Sequence, residues 1–280
     1  LPMAWLNSGG FSRSAGLMPA TPVPDLNAFR ALGAPNAAST TNDFMKQADL
    51  ARAQAARTER MKALQASGTL TPRSKIAVEE FLGASNSRAL LQRVASVTPA
   101  QLDSFGQANV ALLAAQAGLA TTVQLATGGF DSHSNHDNAY ANALPRLTNL
   151  VDYLWQKSAD LGLANRVFVR IYSEFGRTAL NSGNGKDHWE VGTEILMEAN
   201  PAWGNRVVGA SGPKHQALKI SPTTGKEDPA GFVIRPRHVH AAMRKYLGIE
   251  IADPRFDLKV PAAEMFDFFN PAVSTGYPTL

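Results

Sequence analysis

The ten residues from Gly128 to Asp137, Gly-Gly-Phe-Asp-Ser-His-Ser-Asn-His-Asp, constrain this chain more than any other stretch. They set four side chains able to ligate a metal, Asp131, His133, His136 and Asp137, directly behind an apolar run. That run, Ala120 to Ala126, is short, β-branched at three positions and stopped by two glycines. This is the pattern of a buried strand opening into a loop. Open α/β sheets keep their ligands at such strand ends. Carboxylate and neutral imidazole suit a borderline divalent ion such as zinc, and one residue between Asp131 and His133 lets both reach one ion from a tight turn. A divalent metal site is therefore the first expectation. The bland alternative is a polar turn capping the next helix, because Asp and Asn favour turns. Two carboxylates and two imidazoles within seven residues weigh for ligands.

Composition removes several classes. The chain of 280 residues, 44% hydrophobic and 18% charged, holds enough apolar material for one large core or two modest ones. Its net charge of +4 is spread without a long basic run, so no nucleic-acid groove is expected. No window approaches the roughly 18 uninterrupted apolar residues of a membrane span. Cysteine is absent, which excludes disulfides, thiolate metal sites and cysteine nucleophiles. The chain opens on Leu1 with no charged and apolar leader behind it, and reads as a processed chain or a fragment.

Residues 1–40 carry five prolines with many Gly, Ser and Ala, and are expected to form an irregular wrapping segment. Residues 41–280 are expected to form one α/β domain with a helical insert at about 41–97. Its helices are placed from Thr41 to Gly68, capped by Asn42-Asp43, from Thr71-Pro72 to Gly83, and from Ser87 to Val97. Another runs from Thr98-Pro99 to Gly118, and a fifth covers about Ala143 to Leu161. A second strand, Arg166 to Tyr172, leads into Ser173-Glu174-Phe175-Gly176-Arg177-Thr178. Strand, helix and strand with carboxylates at both strand ends read as a right-handed βαβ unit.

Glu174 sits at the end of that second strand. Alone it is a salt-bridge partner for Arg177, the usual fate of such a pair. Beside a metal it is a ligand or general base, and Arg177 is a clamp for a phosphate, sulfate or carboxylate. A third cluster, Asn181 to Trp189, is a glycine-rich loop ending in Asp187-His188. Glycines let a backbone approach a ligand but mark plain turns more often, so loop and ligand readings stand level here. His238 and His240 lie two apart at the start of a helix, do not share a face, and read mainly as helix-start and surface groups. His215 carries no specific signal.

These three segments together resemble the exported bacterial family of unknown function numbered 1501. That family's hallmarks are a strand followed by Gly-Gly-(Trp/Phe)-Asp-Thr-His, a second strand ending Ser-Glu-Phe-Gly-Arg-Thr, and a Gly-rich Asp-His-Gly loop. Here they stand as Gly129-Phe130-Asp131-Ser132-His133, Ser173 to Thr178, and Gly185-Lys186-Asp187-His188-Trp189. Ser132 replaces Thr and the bulky Trp189 replaces Gly. Order and spacing agree from about Leu102 to Gly248.

The family is grouped with the alkaline phosphatase and sulfatase superfamily. The resemblance implies a three-layer α/β/α sandwich with a hydrolase site at the strand ends. It implies Asp131 and His133 as ligands of one divalent metal ion, Glu174 as the carboxylate after the next strand, and Asp187 or His188 as the late ligand. Arg177 would meet the substrate anion. The family's upstream Gly-Gly-x-Asp segment has no counterpart before Asp131, so Leu1 is expected to fall inside the family's domain. The first strands and the nucleophile would then come from an amino-terminal piece of the same protein. The function implied is metal-dependent hydrolysis of small-molecule or polymer phosphate or sulfate esters in a periplasmic or exported location. The alternative is a non-catalytic surface or envelope protein on the same fold, and a third is that these polar residues only cap helices and stabilise loops.

Overall fold

The computed structural model describes residues 47–83, 105–116, 118, 120–249, 254 and 257–275, with two short strands upstream at 4–5 and 21–22. The chain is mixed α/β, and its residues group into two compact units. One comprises Leu1–Gly128 and Leu144–Leu163, the other Gly129–Ala143 and Ala164–Leu280. Among the described residues, no helix is long and apolar enough to cross a membrane.

In the first unit, α1 (Gln47–Ala66) is built almost wholly of strong helix formers and ends at Gly68, whose φ of 67° suits a residue without a Cβ. Leu50, Gln54, Thr58, Met61 and Leu64 form its half-buried stripe, at the spacing of one helix face. The expected cap at Asn42-Asp43 lies outside the described residues, as does the helix expected from Ser87 to Val97. Helix α2 begins at residue 72, where Thr71 accepts the Ser74 N–H through its Oγ1, and is described to residue 83. Helix α3 (Gly106–Gln116) is the buried one, with Ala108 through Ala114 inside. Three parallel two-residue strands are ordered β2 (Thr21–Pro22), β1 (Ala4–Trp5), β3 (Val123–Gln124).

Helix α4 (His136–Asp160) starts seven residues before the expected Ala143 and tolerates Pro145 in its interior. It ends where expected, at Gly162 with φ 68°. The early start follows from Asn135, which adopts φ 47° and turns the chain so that the His136 N–H meets the Asn184 carbonyl at 2.8 Å.

The expected βαβ unit does not form. β3 pairs with β1, whereas β4 (Phe168–Ile171) pairs antiparallel with β7 (Ile195–Glu198), Phe168 facing Glu198 and Ile171 facing Ile195. The chain reverses through residues 172–194 and supplies β4 with this antiparallel partner, which the strand pattern alone does not reveal. The second unit adds the ladders β5 (Gly176–Arg177) with β6 (His188–Trp189) and β8 (Lys219–Ile220) with β9 (Phe232–Val233), then helix α5 (Pro236–Tyr246). Trp203, Ile220, Ala242, Phe266 and Val273 are buried in it. Beside them Tyr246 stacks on Phe269 with ring centroids 4.0 Å apart, and Trp203 meets Phe269 edge-on at 5.1 Å. The Arg206 guanidinium donates to the carbonyls of Trp203, Phe268, Asn270 and Val273, tying the last described segment to this core.

His238 corrects the sequence reading. It is a helix-start residue but not a surface group, being only 1% exposed. Its Nδ1 accepts the Arg235 N–H at 3.1 Å, and its Nε2 lies 3.2 Å from both Arg237 Nε and Glu264 Oε2. His240 is half-buried beside Arg170. Desolvation pushes both imidazoles below their ordinary range, which favours their neutral form in the fold. Unfolded histidines take up protons as pH drops below about 6.5, and these two do not until lower pH. The stability they help maintain is complete above about pH 6.5 and declines as pH falls through the window beneath it. Urea midpoints measured from about pH 8 to 5 are expected to fall below about pH 6.5, with a shallower fall in His238→Gln; a flat profile in the parent chain would overturn this.

Candidate metal centre

Three loops of the second unit meet through backbone pairing. In the β5–β6 ladder Arg177 lies opposite His188 and Gly176 opposite Trp189, which joins the second motif to the third. Thr178 reinforces the join, its N–H reaching the Asp187 carbonyl at 3.0 Å and its Oγ1 accepting the Asp187 N–H at 2.9 Å. The first motif is attached through the Lys186 N–H, which donates to the Ser132 carbonyl at 2.8 Å. Gly185 packs so closely on the His133 backbone that an added Cβ would stand 1.9 Å from its carbonyl oxygen.

Where these segments meet, Asp131, His133 and His188 converge. His133 Nε2 lies 3.0 Å from Asp131 Oδ1 and 3.1 Å from His188 Nε2, and His188 Nε2 lies 3.1 Å from Asp131 Oδ1. A triangle of this size lets all three atoms reach one ion at the usual distance of about 2.0–2.2 Å. Side-chain exposures of 51% for His133, 66% for Asp131 and 49% for His188 leave the open side of such an ion to solvent. A buried structural site would close that side.

The surrounding groups set the charge state. The Asp187 carboxylate lies 3.0 Å from His133 Nδ1, a contact that favours a proton on that nitrogen and leaves Nε2 on the side of the triangle. Asp187 is itself held below the ordinary carboxylate range, first by His133 and then by Asn181. Arg177 donates to Asp131 and to the Lys186 carbonyl, and with the His188 contact holds the Asp131 carboxyl down to about 2. Thus a carboxylate oxygen and an imidazole nitrogen face each other across 3.0 Å with His188 as third member. A shared proton or a metal cation satisfies such a set. Phe175 stacks on His188 with ring centroids 3.8 Å apart and so orients it.

Of the residues expected at the site, Asp131, His133 and His188 come together, and Asp187 stands behind His133 on its far nitrogen. Glu174 lies outside the triangle, exposed, with no hydrogen bond or ion pair among the described residues. Arg177 turns to Asp131 and is only 10% exposed, so its guanidinium is occupied by a protein carboxylate rather than offered to a substrate anion. Asp137 is exposed in the first turn of α4, and His136 turns inward, with 8% of its surface exposed. Trp189 directs its indole N–H to the His215 carbonyl at 2.8 Å, and strand alternation sends it to the face opposite His188.

Asn181 has a role beyond loop composition. Its Oδ1 accepts the Gly183 and Gly185 N–H groups at 3.0 and 2.9 Å, while its Nδ2 donates to the His133 carbonyl at 3.3 Å. Its sequence signal, an Asn shortly before a glycine in a turn-rich stretch, is too common to single it out.

The chain is of mixed α/β architecture and carries an open His2Asp cluster able to hold a metal ion. The model of the family described as protein of unknown function DUF1501 matches residues 13–227, and the chain belongs to that family. No curated protein and no solved structure matches it.

Proposed function

We propose that this chain is an exported, metal-dependent hydrolase of phosphate or sulfate esters, built on an alkaline phosphatase-like α/β/α framework. The observation that carries the reading is the triangle of Asp131 Oδ1, His133 Nε2 and His188 Nε2, three potential ligand atoms converging on a solvent-open point. The ester class and periplasmic location rest on the resemblance of the three motifs to the alkaline phosphatase and sulfatase superfamily. A divalent ion held by these three residues would supply Lewis acidity toward an ester oxygen and acidify a bound water. Arg177 keeps Asp131 ionised and ready to ligate. Asp187 favours a proton on Nδ1 of His133, leaving Nε2 to face the site. Glu174, exposed and without a hydrogen bond or ion pair among the described residues, is assigned the role of proton acceptor on the resemblance of its motif alone.

The test is elemental analysis of the purified protein followed by turnover assays on nitrophenyl phosphate and nitrophenyl sulfate. One equivalent of a divalent metal with turnover that chelation abolishes is expected. Failure to take up zinc, manganese, calcium or iron on reconstitution would overturn the reading. Bound metal without turnover on any ester would assign the site to a non-catalytic surface or envelope protein.

A further inference from the structure

The motif segment Asp131–Ser132–His133 alternates its side chains. The first and third face the solvent-open triangle, while Ser132 points the other way and is only 3% exposed. There its Oγ lies 2.6 Å from Nδ1 of His136, itself 8% exposed and packed on Tyr140 with ring centroids 4.1 Å apart. His136 is the first residue of α4, and its own N–H is fixed to the Asn184 carbonyl at 2.8 Å. Ser132 is thus held at two points, its hydroxyl on a helix start and its carbonyl on the Lys186 N–H. A peptide pinned on both sides cannot rotate its neighbours, and those neighbours are Asp131 and His133.

We infer that Ser132 and His136 form a buried positioning pair that sets the affinity of the Asp131–His133–His188 site for a divalent ion. This rests on the metal-site reading above. The serine hydroxyl is buried and turned away from the triangle, so it does not serve as a nucleophile there. Neither residue touches the ion or substrate. Their contribution is to hold two ligands at one spacing, the kind of outer contact whose loss typically costs about 10–100-fold in metal affinity.

The experiment is calorimetric titration of the full, metal-stripped chain with zinc(II), alongside thermal melts with and without zinc. Ser132→Ala is expected to weaken zinc binding about 10–100-fold and to shrink the zinc-induced rise in Tm. Ser132→Thr keeps the hydroxyl and is expected to stay within about 3-fold of the parent, well short of that loss. His136→Asn offers Oδ1 where Nδ1 stood and should likewise bind near parental strength, whereas His136→Phe should match Ser132→Ala. If Ser132→Ala does not fold, the two His136 variants decide the matter. A merely structural role would lower Tm equally with and without zinc and leave affinity intact, which would overturn the inference. Absence of zinc binding by the parent chain would instead overturn the metal reading beneath it.

Discussion

Gly185→Ala is expected to pry open the loop that carries Asp187 and His188, with a stability loss of about 3 kcal/mol, the upper end of ordinary overpacking. The added Cβ would meet the His133 carbonyl oxygen at 1.9 Å, its carbon at 2.1 Å and the Ser134 nitrogen at 2.5 Å. All three are backbone atoms, so no side chain can swing aside. The Asp131–Ser134 segment is held from the other side by Ser132, and the clash is relieved only by separating the first motif from the third. That separation pulls His188 away from Asp131 and His133, so metal affinity should fall with stability. Gly183→Ala is the control two residues away, because its Cβ would meet only Asn181 Oδ1 at an ordinary 3.5 Å. Chemical denaturation and metal titration of both variants check the argument. Parental behaviour from Gly185→Ala would show that the close approach is not maintained in solution.

The same contact explains what the sequence can and cannot disclose. Asp131, His133 and His188 stand out in the sequence because metal chemistry restricts residue types and each follows a strand or sits in a glycine-rich loop, whereas Arg177, read as an anion clamp or a partner for Glu174, pairs with Asp131. Gly185 can be seen as a turn glycine, but not as the point where one loop presses on another. That depends on pairings such as Lys186 to Ser132, which join residues far apart in the chain and leave no periodic trace. His136 and His238 escape a sequence reading in the same way. Each is turned inward by a partner at its own helix start, Ser132 for one and the Arg235 N–H for the other, and a histidine's type does not announce its direction. The helices are the most legible elements, since Gly68 and Gly162 stop them where a positive φ is needed. The βαβ expectation fails because strands as short as Val123–Gln124 carry too few side chains to record which neighbour they pair with.

Removing a ligand and removing Glu174 should have opposite consequences, and the pair of variants tests the geometry most directly. His133→Ala is expected to weaken metal binding by more than about 100-fold, beyond the range seen for outer contacts, because Nε2 is one corner of a three-atom set. At metal concentrations about 100 times the parental Kd, the parent gains about 2.7 kcal/mol from binding, and that gain should all but vanish in the variant. Glu174→Gln should retain the metal, since Glu174 stands outside the triangle, and should lose turnover if the carboxylate accepts the proton. Metal content and the metal-induced shift in Tm separate the two outcomes without relying on activity. Should Glu174→Gln release the ion as readily as His133→Ala, Glu174 must swing in as a ligand, and the exposed position it occupies here would be a resting state. Should His133→Ala retain the ion, the three-ligand argument fails. The 3.0 Å contact between His133 Nε2 and Asp131 would then be bridged by a proton on the imidazole, with Asp187 and Asp131 as its two acceptors.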